Sequence, residues 1–507
     1  MASLFDAFNQ QRTLKITQST GKPDAKSLAA VDQLLLILPK QVSAATWRQL
    51  PQGEKLKALM RRRKSGSVPA ISTRLANKRQ TAVHVGMFDA TSETIESLTF
   101  ARKLVAAATG EKPGTLGIWI AGFAAERQST IAAHFAAAAS AAAFVLPAFK
   151  HETRKPAFRS ARLLGLVEPI DLERIAAEAA GNNLARWLTA LPPNKLNARS
   201  YAVFLRELAA QEGWQYKQYT IAELRKMGAG AFCAVAQGNA DDDASIVRLR
   251  YRPGSKSAKP SVALVGKGII FDTGGNNLKP FNSMLDMHID MGGSGVAAGT
   301  LLTLTKLGYD EPVDCWHAIT ENRIGPTAYK SQDVITALNG KTIQTIHTDA
   351  EGRMALADTL VLATRDEPQI VIDYATLTGA AVTAVTTRIS AVFTNREDLH
   401  PLLKKAGRES GERVWPFPLG SEFMDDLKSE TADIKQCSPT ASGDHILAAT
   451  FLDRFIENDV PWIHIDLSAC TRKGGLAHVA TEITGFGVRF SADLIVDRDI
   501  VEVAANA

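Results

Sequence analysis

Between Lys267 and Arg353 the chain places five side chains able to ligate a metal, Lys267, Asp272, Asp290, Asp349 and Glu351, together with a second lysine, Lys279, and an arginine, Arg353. Carboxylates this dense among apolar segments repel one another and resist burial. A pair of divalent cations is the simplest positive charge that makes their shared burial tolerable. The chemistry such a centre supports is hydrolysis by two metals.

Each of these side chains needs an element to hold it. Ser261-Val-Ala-Leu-Val265 is a short apolar run of the kind buried strands show, and Gly266-Lys-Gly268 reads as its end, which predicts Lys267 at a strand tip. Ile269-Ile-Phe271 leads into Asp272. Thr273-Gly274-Gly275 then predicts a turn where backbone approaches a ligand closely, so that Asp272 and Lys279 flank one glycine-rich loop. Met287, Met291 and Val296 recur at helical spacing and put Asp290 near the start of a helix. Thr342-Ile-Gln-Thr-Ile346 alternates as a half-buried strand does and runs into His347-Thr-Asp-Ala-Glu-Gly-Arg353. After it, Met354, Leu356, Ala357, Leu360 and Val361 predict the apolar face of a helix. Asp349 and Glu351 are two positions apart, so an extended turn points both at one site. Singly, an Asp-x-Glu pair before a helix commonly serves the helix dipole, and a Gly-Lys-Gly an ordinary turn; their combination is what points to a metal centre.

The segment His347–Arg353, with Lys267-Gly-Ile-Ile-Phe-Asp272-Thr-Gly-Gly275 and Lys279-Pro280, closely resembles the signature of the leucyl aminopeptidases, the cytosol aminopeptidase family of di-zinc peptidases. Asp286-Met-His-Ile-Asp290-Met-Gly-Gly293 is similar to the segment in which that family carries a metal-binding aspartate. Ala375-Thr-Leu-Thr-Gly-Ala380 resembles its substrate-lining loop, and Glu321-Asn322, Tyr329 and Asn339-Gly-Lys341 match the approach to the signature. Arg186 to Asn197, with Pro192-Pro193-Asn194, is similar to the start of the family's catalytic domain. Upstream of residue 165 no motif is recognisable.

The resemblance implies that Asp272 and Glu351 bridge two divalent ions, zinc or manganese, with Lys267 and Asp290 completing one and Asp349 the other. Carboxylate oxygens sit about 2.0–2.2 Å from such ions, and bridging acids hold two of them about 3.5–4 Å apart. It further implies hydrolysis of the first peptide bond of peptides with a free amino terminus, a metal-bridged water being the nucleophile. Lys279 and a metal would stabilise the oxyanion, and Arg353 would hold a bicarbonate ion acting as general base. The substrate's amine would bind a metal and Asp290, which restricts cleavage to chain ends, and the assembly would be a homohexamer. The chain departs from the family's usual pattern at His347, commonly asparagine, and at Thr273, commonly serine. Asn276-Asn277 replaces small or apolar residues and predicts a reshaped pocket; His347 is expected to brace its loop rather than ligate.

Rival chemistry finds no support in the sequence. No Gly-x-Ser-x-Gly elbow, Walker loop, complete Gly-x-Gly-x-x-Gly fingerprint or His-Glu-x-x-His occurs. Cys233, Cys315, Cys437 and Cys470 are too far apart for a Cys-x-x-Cys pair and are expected as buried thiols in a reducing compartment. The 507 residues, 45% hydrophobic and 22% charged, suit a soluble enzyme of two domains. The apolar runs are too short for a membrane span, and Met1 to Gln10 lacks a cationic stretch before an apolar core, so the cytoplasm is the expected location.

The expected fold is α/β in two domains: a smaller N-terminal α/β domain over 1–165, a connecting helix over 166–190, and a larger C-terminal α/β catalytic domain over 191–507 with a central mixed sheet flanked by helices. In the first domain Val31–Leu38, Thr81–Val85 and Leu116–Ile120 read as strands, Thr94–Ala108 and Gln128–Phe144 as helices, and Pro147–Lys155 as exposed connection. Leu172–Leu191 reads as the helix leading into the second, where Ile370–Ile372 and Trp462–Ile465 are strand-like. Net charge is +5, with a basic run Arg61-Arg-Arg-Lys64. Some bacterial members of the family bind DNA, so a nucleic-acid-binding or architectural protein on the peptidase scaffold is the alternative. So mild a charge, beside an intact ligand set, favours the peptidase.

Overall fold

The computed structural model describes residues 3–506 except 12, 63–65, 67, 111–112, 152–154, 255–258 and 440–441. Two compact units emerge. One comprises Asn9–Ala179 with Lys473–Glu482; the other comprises Ala180–Arg472 with both chain ends, up to Phe8 and from Ile483. The helix Leu172–Thr189 carries the chain from the first into the second.

In the smaller unit six strands lie in the spatial order Lys15–Thr20, Ser160–Leu166, Thr115–Ile120, Gln33–Pro39, Ala82–Phe88, Ile71–Arg74, all pairings parallel except the last. The strand Gln33–Pro39 is buried on both faces: Leu35 and Ile37 pack with the helices Thr94–Thr109 and Ala125–Ala143, while Leu34, Leu36 and Leu38 pack with Trp47 and Leu56. That double burial makes the run from Leu34 to Pro39 wholly apolar, which is why it is readable in the sequence. Lys15–Thr20 and Ile71–Arg74 are edge strands with alternating or mostly exposed residues, and no apolar run announces them. The connection after the second helix is exposed from Ala148 to His151; Glu152–Arg154 lie outside the described residues. So do Arg63 and Lys64 of the basic run, whose Arg61 and Arg62 are exposed.

The larger unit is built on a mixed eight-stranded sheet ordered Val414–Pro416, Ser390–Thr394, Trp462–Asp466, Ile370–Ala375, Val262–Asp272, Val313–Asn322, Ser245–Tyr251, Gln215–Thr220. Its four middle strands, from Trp462–Asp466 to Val313–Asn322, are mutually parallel, and helices including Gly292–Lys306 and Glu351–Thr364 cover it. Val334–Thr336, Thr342–Gln344 and Ile434–Lys435 form a small separate sheet. The helix Glu351–Thr364 is buried on every side, not along one face as its apolar spacing predicts. Its threonines and Asp358 find hydrogen-bond partners within the unit. The Thr359 and Thr364 hydroxyls donate to the carbonyls of Ala355 and Leu360, and Asp358 accepts from the backbone of Phe232 and Leu338. No helix among the described residues is long and apolar enough to cross a membrane.

Candidate metal centre

Parallel strands end at a common edge, and the candidate residues gather beyond the carboxyl ends of the four middle strands. Asp272 terminates Val262–Asp272, facing Asn322 in register at the end of its neighbour. Lys267 lies mid-strand, not at the tip the flanking glycines predict. Gly266 stays in the strand because helix and sheet meet there at backbone contact, and Gly268 because the Ala318 carbonyl of the adjacent strand leaves no room for a Cβ. A Cβ on Gly266 would stand 2.4 Å from Ser294 Cα, at the start of Gly292–Lys306. Asp290 occupies a 3-10 turn, Met287–Met291, just ahead of that helix. Glu351 is the first residue of its own helix.

These elements bring the side chains together. Lys267 Nζ donates to Asp290 Oδ1 and to the Thr376 carbonyl, both at 2.9 Å, and lies 3.0 Å from Glu351 Oε1. Asp290 Oδ1 also accepts from the Thr376 hydroxyl at 2.7 Å. Lys279 Nζ is 2.8 Å from Asp272 Oδ2 and is ion-paired to Asp349. Oxygens of Asp272, Asp290 and Glu351, all buried, lie within 4.8 Å of one another. Asp349 stands outside that triple on the side of Lys279, with 27% of its side chain exposed.

The loops are fixed by groups of which the sequence gives Gly274-Gly275 as a turn and His347 as a brace, while Asn322, Asp466 and Asp444 carry no role there. Asn322 Nδ2 donates to Asp272 Oδ1 at 2.8 Å and to the Thr348 carbonyl at 3.0 Å, tying the two acid-bearing loops to one amide. Gly274 and Gly275 both have positive φ, as the turn requires. Asn277 Oδ1 accepts from Thr348 N, and the Asn276 amide donates to the Tyr329 carbonyl, so both asparagines join the glycine-rich loop to its neighbours. His347 Nδ1 accepts from the Asp349 backbone, a bracing contact. Asp466, at the end of its strand, accepts from the Thr378 hydroxyl at 2.7 Å and from Leu377 N, holding the loop that carries Thr376. Arg353, 2% exposed, has Nη2 at 2.9 and 2.8 Å from the two oxygens of Asp444, while Nη1 donates to the Gln436 carbonyl. Asp444 is separated from it by 91 residues and, as an acid opening a helix, gives no sign of this role in the sequence.

The electrostatics follow from crowding. Burial, reinforced by Asp272, pushes the Glu351 carboxyl up to about 8 and that of Asp349 up to about 6; burial also raises Asp290. Burial alone would lower Lys267, but Asp290, Glu351 and Asp272 outweigh it and hold its ammonium above the ordinary lysine range. Lys279 is raised in the same way, chiefly by Asp272 and Glu351 against its own burial. Four acids against two lysines leave two formal negative charges in one buried cluster. A cluster of closely spaced hard oxygens with excess negative charge fits divalent cations, with one amine nitrogen available once deprotonated.

The chain matches the description "Cytosol aminopeptidase family, catalytic domain" over residues 183–492. It is 40% identical over 321 residues to a probable cytosol aminopeptidase of Syntrophobacter fumaroxidans, an alignment covering 63% of this chain and 63% of that protein. The chain thus spans just under two thirds of that relative's length. With a probable cytosol aminopeptidase of Parasynechococcus marenigrum the identity is 36% over 432 residues, 83% of this chain and 86% of the relative. Among solved structures, the leucyl aminopeptidase of Trypanosoma cruzi superposes with a TM-score of 0.81 at 26% identity, covering 99% of this chain and 98% of that one.

Proposed function

Because this chain belongs to the cytosol aminopeptidase family, we propose that it is a metal-dependent aminopeptidase that removes the first residue from peptides with a free amino terminus. The observation that carries this reading is the buried convergence of Asp272, Asp290 and Glu351 around Lys267, beside Lys279 and Asp349. Asp272, Glu351, Asp290, Lys267 and Asp349 are the residues that would hold two divalent ions, zinc or manganese. When bound, the ions would supply an acidified water and polarise the scissile carbonyl.

The chain's own groups do the rest. Asp290, oriented by Lys267 and the Thr376 hydroxyl, offers a carboxylate to a substrate ammonium, and an internal peptide bond has no such charge to place there. Lys279, less buried than Lys267 and cationic, is the donor for the oxyanion that develops on the carbonyl oxygen. Thr376 and Asp466 fix the loop along which the peptide backbone would lie. The bicarbonate that the resemblance implies at Arg353 does not fit a guanidinium already held by Asp444, and no step is assigned to it. A cytoplasmic homohexamer is the assembly and location that the same resemblance implies.

The test is hydrolysis of a leucine anilide before chelation, after it, and after return of zinc or manganese, repeated with Glu351→Gln. Chelation is expected to abolish turnover reversibly, and the substitution to lower kcat/KM by about three orders of magnitude. Turnover that survives both treatments removes the proposal.

A further inference from the structure

Arg353 is a buried cation paired, among the described residues, with Asp444 and the Gln436 carbonyl. Its Nη2 is chelated by both oxygens of Asp444 and its Nη1 reaches the Gln436 carbonyl, while Nε, also buried, has no hydrogen-bond acceptor among the described residues. Asp444 enters its position by design of the backbone: Gly443, at φ +65°, turns the chain into the helix Asp444–Asp453, and the acid is the first residue of that helix. The burial is graded, with 2% of the arginine side chain exposed and 26% of the aspartate's. Asp444 therefore stands on the solvent side of the guanidinium, and a dissolved anion approaching Arg353 meets a neutral pair rather than a free cation.

We propose that Asp444 is a built-in anion for Arg353, a carboxylate of the chain itself that fills the seat in which a dissolved oxyanion such as bicarbonate would otherwise bind, so that this protein neither binds nor requires that ion. A carboxylate fixed by a helix start acts at an effective concentration far above that of a millimolar solute. Two anions on one guanidinium would leave the second uncompensated in a buried site. The vacant Nε–H lies beside Nη2 in the planar donor fork, so the carboxylate already on Nη2 reaches it by a small rotation. The inference rests on the aminopeptidase reading for its kinetic consequence only.

The experiment compares thermal unfolding of the wild-type protein and Asp444→Ala in carbonate-free buffer along a bicarbonate series at constant pH and ionic strength. The wild-type midpoint is expected to stay flat. Asp444→Ala starts lower and is raised by a few degrees as bicarbonate fills the freed seat. A wild-type midpoint that climbs with bicarbonate as steeply as the variant's overturns the proposal, and so does a variant indifferent to the ion. Should the alanine variant not fold, Asp444→Asn keeps the shape without the charge, and the wild-type arm decides by itself. Leucine-anilide turnover forms a second arm: the wild-type rate is expected to be unaffected by bicarbonate, and a wild-type rate that rises with the ion overturns the proposal. Absence of any turnover counts against the aminopeptidase reading, while the melting curves still decide the seat.

Discussion

Lys267 and Lys279 are both cations among the same carboxylates, yet their settings ask different things of them. Lys267 is walled in by Asp290, Glu351 and the Thr376 carbonyl, and a Cβ on Gly352 would come within 2.7 Å of its Nζ. A nitrogen so enclosed serves a cation only through a free lone pair, which a guanidinium lacks. Lys267→Arg is therefore expected to hold one divalent ion per chain where the wild type holds two, and to lose about three orders of magnitude in kcat/KM. Metal content after loading and desalting, read by elemental mass spectrometry, is the check. Two ions retained with normal turnover would show that Lys267 is no ligand. At this scale the sequence was informative wherever chemistry-bearing residues sit within one stretch: the acids and lysines from Lys267 to Glu351 are recognisable by type and spacing. Asp444 is not, because its meaning lies in a contact 91 residues away, and Asn322 shows no task in the sequence because an amide takes its role from the groups around it.

Elements deliver those residues through close approach of backbones. The glycines at 266 and 293 are where the helix Gly292–Lys306 touches the sheet: a Cβ on Gly266 would lie 2.4 Å from Ser294 Cα, and one on Gly293 would lie 2.1 Å from the Tyr374 carbonyl oxygen. Neither neighbour is a flexible side chain that gives way. Gly266→Ala is accordingly expected to push the helix start off the strand and, with it, the turn Met287–Met291 that holds Asp290 opposite Lys267. The variant should lose about 1–3 kcal/mol of stability by denaturant titration, and its activity should fall more than its stability explains. Gly110→Ala, where no described residue beyond its chain neighbours lies within 4 Å, is the control and should change neither. Equal behaviour of the two variants would mean that the contact does not position the site. The same close packing explains why glycine misled the reading of the sequence. Gly266-Lys-Gly268 has the composition of a turn, and only the neighbouring helix and strand make those glycines strand residues. Gly274-Gly275, by contrast, was read as a turn and is one, because its positive φ is a local requirement.

Across the whole molecule, legibility followed burial. Strands covered on both faces are dominated by apolar residues, 34–39 without a break and Ile370–Ala375 save for Asp373, and stand out, whereas the polar edge strand Lys15–Thr20 does not. The α/β class with a central mixed sheet was therefore readable, but the inclusion of Lys473–Glu482 in the smaller unit was not, since nothing local marks a segment that packs with residues hundreds of positions away. Burial also governs how global stability responds to acid. In the larger unit a polar chain runs through the core: the Tyr201 hydroxyl meets Ser294 Oγ, which meets His317 Nδ1, and His317 Nε2 faces Cys315 Sγ. Among the described residues no carboxylate shifts the imidazole, and burial pulls its pKa down to about 3. In the unfolded chain the same group titrates near 6.5, so below that pH the unfolded state binds a proton that the folded state refuses. Its contribution to stability is complete above the unfolded value and is lost as pH falls from there toward about 3. The slope approaches about 1.4 kcal/mol per pH unit. His317→Asn keeps a polar partner for Ser294 and cannot titrate, so the stability difference between wild type and variant should narrow at about that slope between roughly pH 6 and pH 4. Denaturant titrations of both proteins at each pH measure it, and a difference that stays constant through the window would mean that His317 is protonated, or free to be, inside the fold.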